Sequence, residues 1–256
     1  MTVELTRERD CAVVTLNRPE ALNALSFKIL RDIGAAFDEV GAMKDVRALL
    51  VRGAGDKSFC AGADIKELRG RSLVEQKRGA ELGQAVFAKL DTLPIASIAL
   101  VHGYAFGGGA ELALASTFRL ATANAVFGLP EIKLGLIPGY GGTQRLPRLI
   151  GQSRALEIIM TGRNVKADEA ERIGLVNAIV EGDILQAGLE FAGRFTRYSL
   201  PVLEFARRAV QRSGDTALHE GLQVEADLST HAYRTRDAEE GMAAFEEKRK
   251  PEFRDG

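Results

Sequence analysis

This sequence has little cysteine, little histidine, almost no net charge and no long apolar run, and each shortage removes a class of protein. Its 256 residues hold two cysteines, Cys11 and Cys60, too few for a disulfide framework, so a reducing compartment is expected. The three histidines, His102, His219 and His231, are scattered without ligand spacing, and no metal site is expected. A formal net charge of −1 gives no bias toward nucleic acid or an acidic membrane surface. No apolar run approaches the roughly 18 residues that a membrane span needs. The opening MTVELTRERD lacks an apolar centre and carries acids, unlike a signal peptide. The expectation is a soluble cytoplasmic protein with neither nucleic acid nor membrane as partner. With 46% hydrophobic and 27% charged residues, the chain can bury one large domain, or a domain with an appendage.

Strand-like and helix-like segments alternate along the chain, which predicts an α/β core. Residues 3–5 and 12–16 flank the polar Glu8-Arg9-Asp10 and predict a hairpin. Ser26 predicts the cap of a helix with Ile29, Ile33, Phe37 and Val40 on one face and Gly41 as its stop. Buried strands are expected at 47–52 and 95–101, with a helix over 73–90 between them, ended by Pro94. A small-residue helix over 108–116, a strand region through Phe127, and helices at 143–150, 154–161 and 167–173 follow. Beyond Leu200 the strand signals disappear. Pro201 suits the first position of a helix whose apolar face runs from Val202 to Val210. A last helix is expected from Asp237, with Glu240 completing a capping box and Pro251 as its stop. The core therefore spans residues 1–197, and 198–256 form a helical appendage.

Three segments carry the residues of chemical interest. In Phe59-Cys60-Ala61-Gly62-Ala63-Asp64-Ile65-Lys66-Glu67, the Asp64/Glu67 spacing predicts a capping box that opens a short helix. The Ala63 N–H then lies at that helix's entrance, among small neighbours. Cys60, with no histidine nearby in sequence, reads as a small buried side chain. In Val101-His102-Gly103-Tyr104-Ala105-Phe106-Gly107-Gly108-Gly109-Ala110-Glu111, three glycines leave a buried strand and start a helix. Such a run costs entropy unless backbone must approach something closely. No Gly-Lys-Ser/Thr follows, so it is not a Walker-type phosphate loop. Gly108 and Glu111, three apart, share a helical face and can address one bound group; tight helix packing with a solvated first-turn acid is the even alternative. In Leu129-Pro130-Glu131 through Pro138-Gly139-Tyr140-Gly141-Gly142-Thr143, proline orients Glu131 and the glycines turn into a helix. Two carboxylates at one site can divide acid and base roles, because proximity separates their pKa values.

Together these segments resemble the crotonase superfamily, and enoyl-CoA hydratases within it. The resemblance runs from Leu16-Asn17-Arg18-Pro19 through Leu22-Asn23-Ala24-Leu25 to Phe245-Glu246-Glu247-Lys248-Arg249-Lys250. It implies an α/β spiral of ββα units with a C-terminal helical region that builds trimers, commonly paired into hexamers. It also implies reversible hydration of a 2-enoyl-CoA thioester in acyl-CoA catabolism, with no cofactor beyond the coenzyme A of the substrate. The related alternatives are double-bond isomerisation and a non-catalytic RNA-binding protein. On this resemblance the N–H groups of Ala63 and Gly108 form an oxyanion hole, and Glu111 and Glu131 handle the protons of the reacting water near the Gly139 N–H. Ala61, Ala63, Asp64, Ile65 and Lys66 line a coenzyme A channel. Phe245 and Lys248 approach the nucleotide end, from a neighbouring subunit in one reading. The chain departs from the family pattern at Glu20, where many hydratases have lysine, and at Leu129, where some have glutamine. Neither departure removes a catalytic group.

Overall fold

A computed structural model describes residues 2–256. The elements run β1 (Val3–Glu8), β2 (Cys11–Leu16), α1 (Phe27–Ala42), β3 (Ala48–Gly53), β4 (Ser58–Cys60), α2 (Ile65–Leu68), α3 (Leu73–Thr92), β5 (Ala96–Val101), β6 (Tyr104–Phe106) and α4 (Gly108–Ala115). They continue with β7 (Phe118–Thr122), β8 (Val126–Gly128), α5 (Gly142–Ile150), α6 (Gln152–Thr161), β9 (Val165–Lys166), α7 (Ala167–Arg172), β10 (Ala178–Val180) and α8 (Ile184–Ala192). Three helices close the chain: α9 (Leu200–Arg212), α10 (Leu218–Ala232) and α11 (Arg236–Glu246).

The strands sort into two sheets. A six-stranded sheet has the order β1-β2-β3-β5-β7-β10, and a four-stranded sheet has the order β4-β6-β8-β9. Each of the successive pairs β3/β4, β5/β6 and β7/β8 gives one strand to each sheet, with helices between pairs, so the chain winds as a spiral of ββα turns. The large sheet is parallel from β2 to β10, with β1 antiparallel at its edge. Parallel sheets are covered on both faces, and the strand sequences show it. Val14, Leu49, Val51, Ala99 and Val101 point into the main core, beside Ile33, Phe37 and Phe87 of the helices. Val13, Leu50, Ile98 and Leu100 point the other way and are covered by Leu189 and Ala192 of α8.

The hairpin turns on Arg9 and Asp10, with Arg9 at φ 58°. Ser26 caps α1 by accepting from the Ile29 N–H, as its spacing predicts. Several expected helix ends differ. Gly41 lies inside α1; the stop is Met43, in extended backbone, whose N–H reaches the Val40 carbonyl. Asp64 caps α2 through the Lys66 N–H, but Glu67 does not complete the box. Its carboxylate instead accepts from the Phe27 N–H, at the start of α1. The last helix is capped by Thr235, not Asp237, and ends at Glu246, before Pro251. Asp237 accepts from the Arg254 and Asp255 N–H groups, and Glu240 pairs with Arg249, so both acids hold the terminal strap instead of the helix start. These acids found tertiary partners, which override a local capping pattern.

Candidate active site

The site forms where the three sequence segments meet, between the small sheet and the helices α3, α4 and α5. Its first part is backbone. Leu25 and Ala63 form a parallel bridge in which Leu25 N–H donates to the Gly62 carbonyl at 2.7 Å and Asp64 N–H to the Leu25 carbonyl at 2.9 Å. In such a bridge the bonds run through the residues flanking Ala63, so Ala63's own N–H points away from Leu25. Gly108 is the first residue of α4, where an N–H has no acceptor within the helix. The two segments touch: a Cβ placed on Gly62 would lie 3.5 Å from the Gly108 nitrogen. The segments that carry the two backbone donors are thus in contact.

The glycine run is what makes this approach possible. Gly107 sits at φ 49°, a conformation that disfavours side chains, and a Cβ there would come 3.0 Å from Glu131 Oε1. A Cβ on Gly109 would collide with the Cys60 carbonyl, so α4 lies directly on β4. A larger residue at either position would push the Gly108 N–H away from Ala63.

The second part is the pair of carboxylates. Glu111 is on the first turn of α4 and only 2% exposed, so it is not a solvated surface acid. Its Oε1 accepts from the N–H groups of Tyr140 and Gly142, each at 2.8 Å. Burial raises its pKa to about 7; the nearby Glu131 charge pushes the same way, against the Gly142 and Tyr140 hydrogen bonds. Glu131 lies in the 3-10 turn Pro130–Leu134, which proline starts. Burial also raises its pKa, and its buried Oε2 has no hydrogen-bond partner among the described residues. An unpartnered carboxylate oxygen beside a second raised carboxyl is the arrangement expected of groups that exchange protons with a ligand.

The remaining predicted residues fall into two sets. Ala61 to Lys66 form one continuous segment from β4 to α2, with Ile65 and Lys66 exposed and Asp64 paired to Arg18 at 3.1 Å. Gly139 adjoins the site, but its carbonyl accepts from Gln84 and its N–H is not the one that holds Glu111. Tyr140 and Gly142 do that, and sequence reasoning passed over them. A backbone donor leaves no side-chain signature; only the positive φ of Gly141, 117°, hints at the tight turn that aims both. Phe245 and Lys248 lie at the end of α11, and Phe245 is 85% exposed. Within one chain the structure does not bring them to the glutamates. His102 and Cys60 are buried, and burial pushes the Cys60 thiol up to about 12, so it is not a nucleophile. No cluster of His, Cys, Asp and Glu with metal-binding geometry occurs among the described residues.

Comparison with known proteins bears on the family and the fold. The model of the enoyl-CoA hydratase/isomerase family matches residues 6–256. The chain is 41% identical over 251 residues to a short-chain-enoyl-CoA hydratase of Clostridium acetobutylicum, covering 98% of this chain and 96% of that one. It is 41% identical to a crotonyl-CoA hydratase of Syntrophomonas wolfei, covering 97% and 96%. The crystal structure of an enoyl-CoA hydratase from Bacillus anthracis superposes with a TM-score of 0.95 at 35% identity, over the full length of both chains. The chain belongs to the enoyl-CoA hydratase/isomerase family.

Proposed function

We propose that this protein is an enoyl-CoA hydratase, adding water reversibly across the double bond of a 2-enoyl-CoA thioester to give the 3-hydroxyacyl-CoA. The observation that carries the reading is the pair of Glu111, buried, and Glu131, half-buried, both with raised pKa, beside two backbone donors. The thioester oxygen is placed between the N–H groups of Ala63 and Gly108. Each such donor is worth about 3–4 kcal/mol on the developing enolate, and the α4 dipole adds to it. The acyl double bond then lies between the glutamates. The reaction calls for one proton shared by the pair, which the raised carboxyl of Glu111 can supply near neutral pH. The ionised member removes a proton from water as its oxygen bonds to the β-carbon. The double-bond electrons move to the α-carbon and thioester oxygen, and the protonated member supplies the α-carbon proton. Water's oxygen and both its protons' worth of hydrogen are accounted for, and the pair ends with one proton, as it began.

Ala61, Asp64, Ile65 and Lys66 are assigned to the coenzyme A channel, leading away from the Ala63 donor. Phe245 and Lys248 are assigned to the nucleotide end in an assembled trimer or hexamer, built through residues 198–256. The two free, buried cysteines fit a reducing compartment, and we place the protein in the cytoplasm. No helix among the described residues is long and apolar enough to cross a membrane.

The test follows loss of conjugated-thioester absorbance with crotonyl-CoA. Glu111→Gln and Glu131→Gln should each lose at least about 10²-fold in rate with substrate binding retained. Near-normal turnover in either variant removes the two-carboxylate mechanism, and double-bond migration that survives when hydration is lost assigns the site to isomerase chemistry.

A further inference from the structure

Tyr140 does more at this site than offer its N–H to Glu111. Its ring spans the gap between α3 and α4, with one edge on a glycine of each helix. A Cβ on Gly83 of α3 would lie 2.6 Å from the ring's Cε1, and a Cβ on Gly108 of α4 would lie 3.0 Å from its Cδ2. Phe87, one turn beyond Gly83, meets the ring edge-on at 5.8 Å. Tyr140 is 7% exposed, so its ring is held between the two helices. Gly108 carries the backbone donor beside which the reacting carbons must lie, and a Cβ there would meet the Tyr140 ring at 3.0 Å and Leu25 Cδ1 at 3.2 Å, so the ring is an apolar surface close to them.

On the hydratase reading above, we infer that Tyr140 sets the acyl chain length, closing the slot between α3 and α4 into which carbons beyond the β-position would run. The other direction is little better provided. Behind α4, Ala110, Leu114, Phe127 and Leu129 line an apolar cavity with room for about one water. On this assignment a chain of four carbons ends before the ring, and a chain of eight has to displace it. Displacing it separates Tyr140 from Gly83 and Phe87, so the longer substrate meets a cost that the shorter one avoids.

The test is the ratio of kcat/KM for 2-octenoyl-CoA to that for crotonyl-CoA, within each variant. Any loss common to both substrates, including a disturbed Glu111, cancels in this ratio, so a merely structural role leaves it unchanged. The wild type should favour the four-carbon substrate by at least about 10-fold, the scale on which a pocket discriminates by methylene groups. Tyr140→Phe keeps the ring and should keep the ratio. Tyr140→Ala should raise the ratio at least about 10-fold, and Tyr140→Leu, which refills part of the space and guards against misfolding, should raise it by less. Leu129→Ala, on the other side of α4, should leave it unchanged. A wild type that takes both substrates equally, a Tyr140→Leu ratio like that of the wild type, or a shift produced by Leu129→Ala in its place, each overturns the assignment to Tyr140. A wild type that hydrates neither substrate overturns the hydratase reading itself.

Discussion

Glu111 holds its proton at a pH where an ordinary glutamate has lost it, and this links the site to stability. Its carboxyl titrates near pH 7 in the folded chain against an ordinary 4.5, a difference worth about 3 kcal/mol. Below pH 4.5 the group is protonated in both states, and the native state keeps its full advantage. Between 4.5 and 7 the unfolded chain ionises first, so stability is lost as pH rises; above 7 the loss is complete. Urea unfolding of the wild type should therefore show stability falling from pH 5 to pH 8. Glu111→Gln keeps an acceptor for Tyr140 and Gly142 but cannot ionise, so its fall should be shallower by up to about 3 kcal/mol. Parallel curves would mean that Glu111 is not the raised group. Both glutamates were singled out in the sequence, but each alone read equally as an ordinary packed or solvated acid, and it was the resemblance of the three segments together that paired them. The bonds that hold Glu111 were not legible there, since Tyr140 and Gly142 act through N–H groups that any residue carries.

The α4 helix presents both the Gly108 N–H and Glu111. All eight of its residues are buried, and its far end is closed by Arg119. That guanidinium donates to the carbonyls of Ser116 and Leu175 at 2.7 Å each and to that of Ala113 at 3.4 Å. No carboxylate pairs with it among the described residues, and burial lowers its pKa to about 10. A cation there faces the negative end of the helix dipole and satisfies carbonyls that would otherwise be buried alone. Arg119→Met should lose about 3 kcal/mol of unfolding free energy, the scale set by orphaned buried acceptors, and Arg119→Lys less. Unchanged urea midpoints in both would show that α4 needs no clamp. Elements of this size were readable where their apolar period was long, as in α1 and α3, whose starts were placed at Ser26 and Leu73. The strands β4, β6 and β8 have three residues each, too short for a period, so the second sheet went unseen. The helices α8 and α10 were also missed. Gly108 was expected to be a backbone donor, and the structure also puts Tyr140 and Leu25 where a Cβ on it would point. It is a packing glycine as well, so a bulky substitution there would confuse the two roles.

At the scale of the whole molecule, the three closing helices hold apolar side chains that this chain does not cover. α9 and α10 pack on each other, yet neither contains a buried residue. Val210, Leu218, Leu222, Tyr233, Met242 and Phe245 are each at least half exposed. The base of the appendage is firmly joined to the core: Arg207 donates to carbonyls of Leu90, Asp91 and Leu93, and Arg47 to those of Thr196 and Tyr198 and to Asp255. The helices are thus held in position with their apolar faces outward, and such faces call for a partner surface. A second and third copy of the chain would supply it and would carry Phe245 and Lys248 toward a neighbour's site. Sedimentation at micromolar concentration should show a trimer or hexamer. The double variant Leu218→Glu with Leu222→Glu should sediment as a smaller species with its far-UV circular dichroism intact, because neither side chain supports the core of its own chain. Its KM for crotonyl-CoA should rise at least about 10-fold, the cost of losing a charged contact to the coenzyme phosphates across the interface. A wild-type monomer with full activity would defeat the assembly and the role of Lys248 together; a dissociated double variant with an unchanged KM would defeat the role of Lys248 alone.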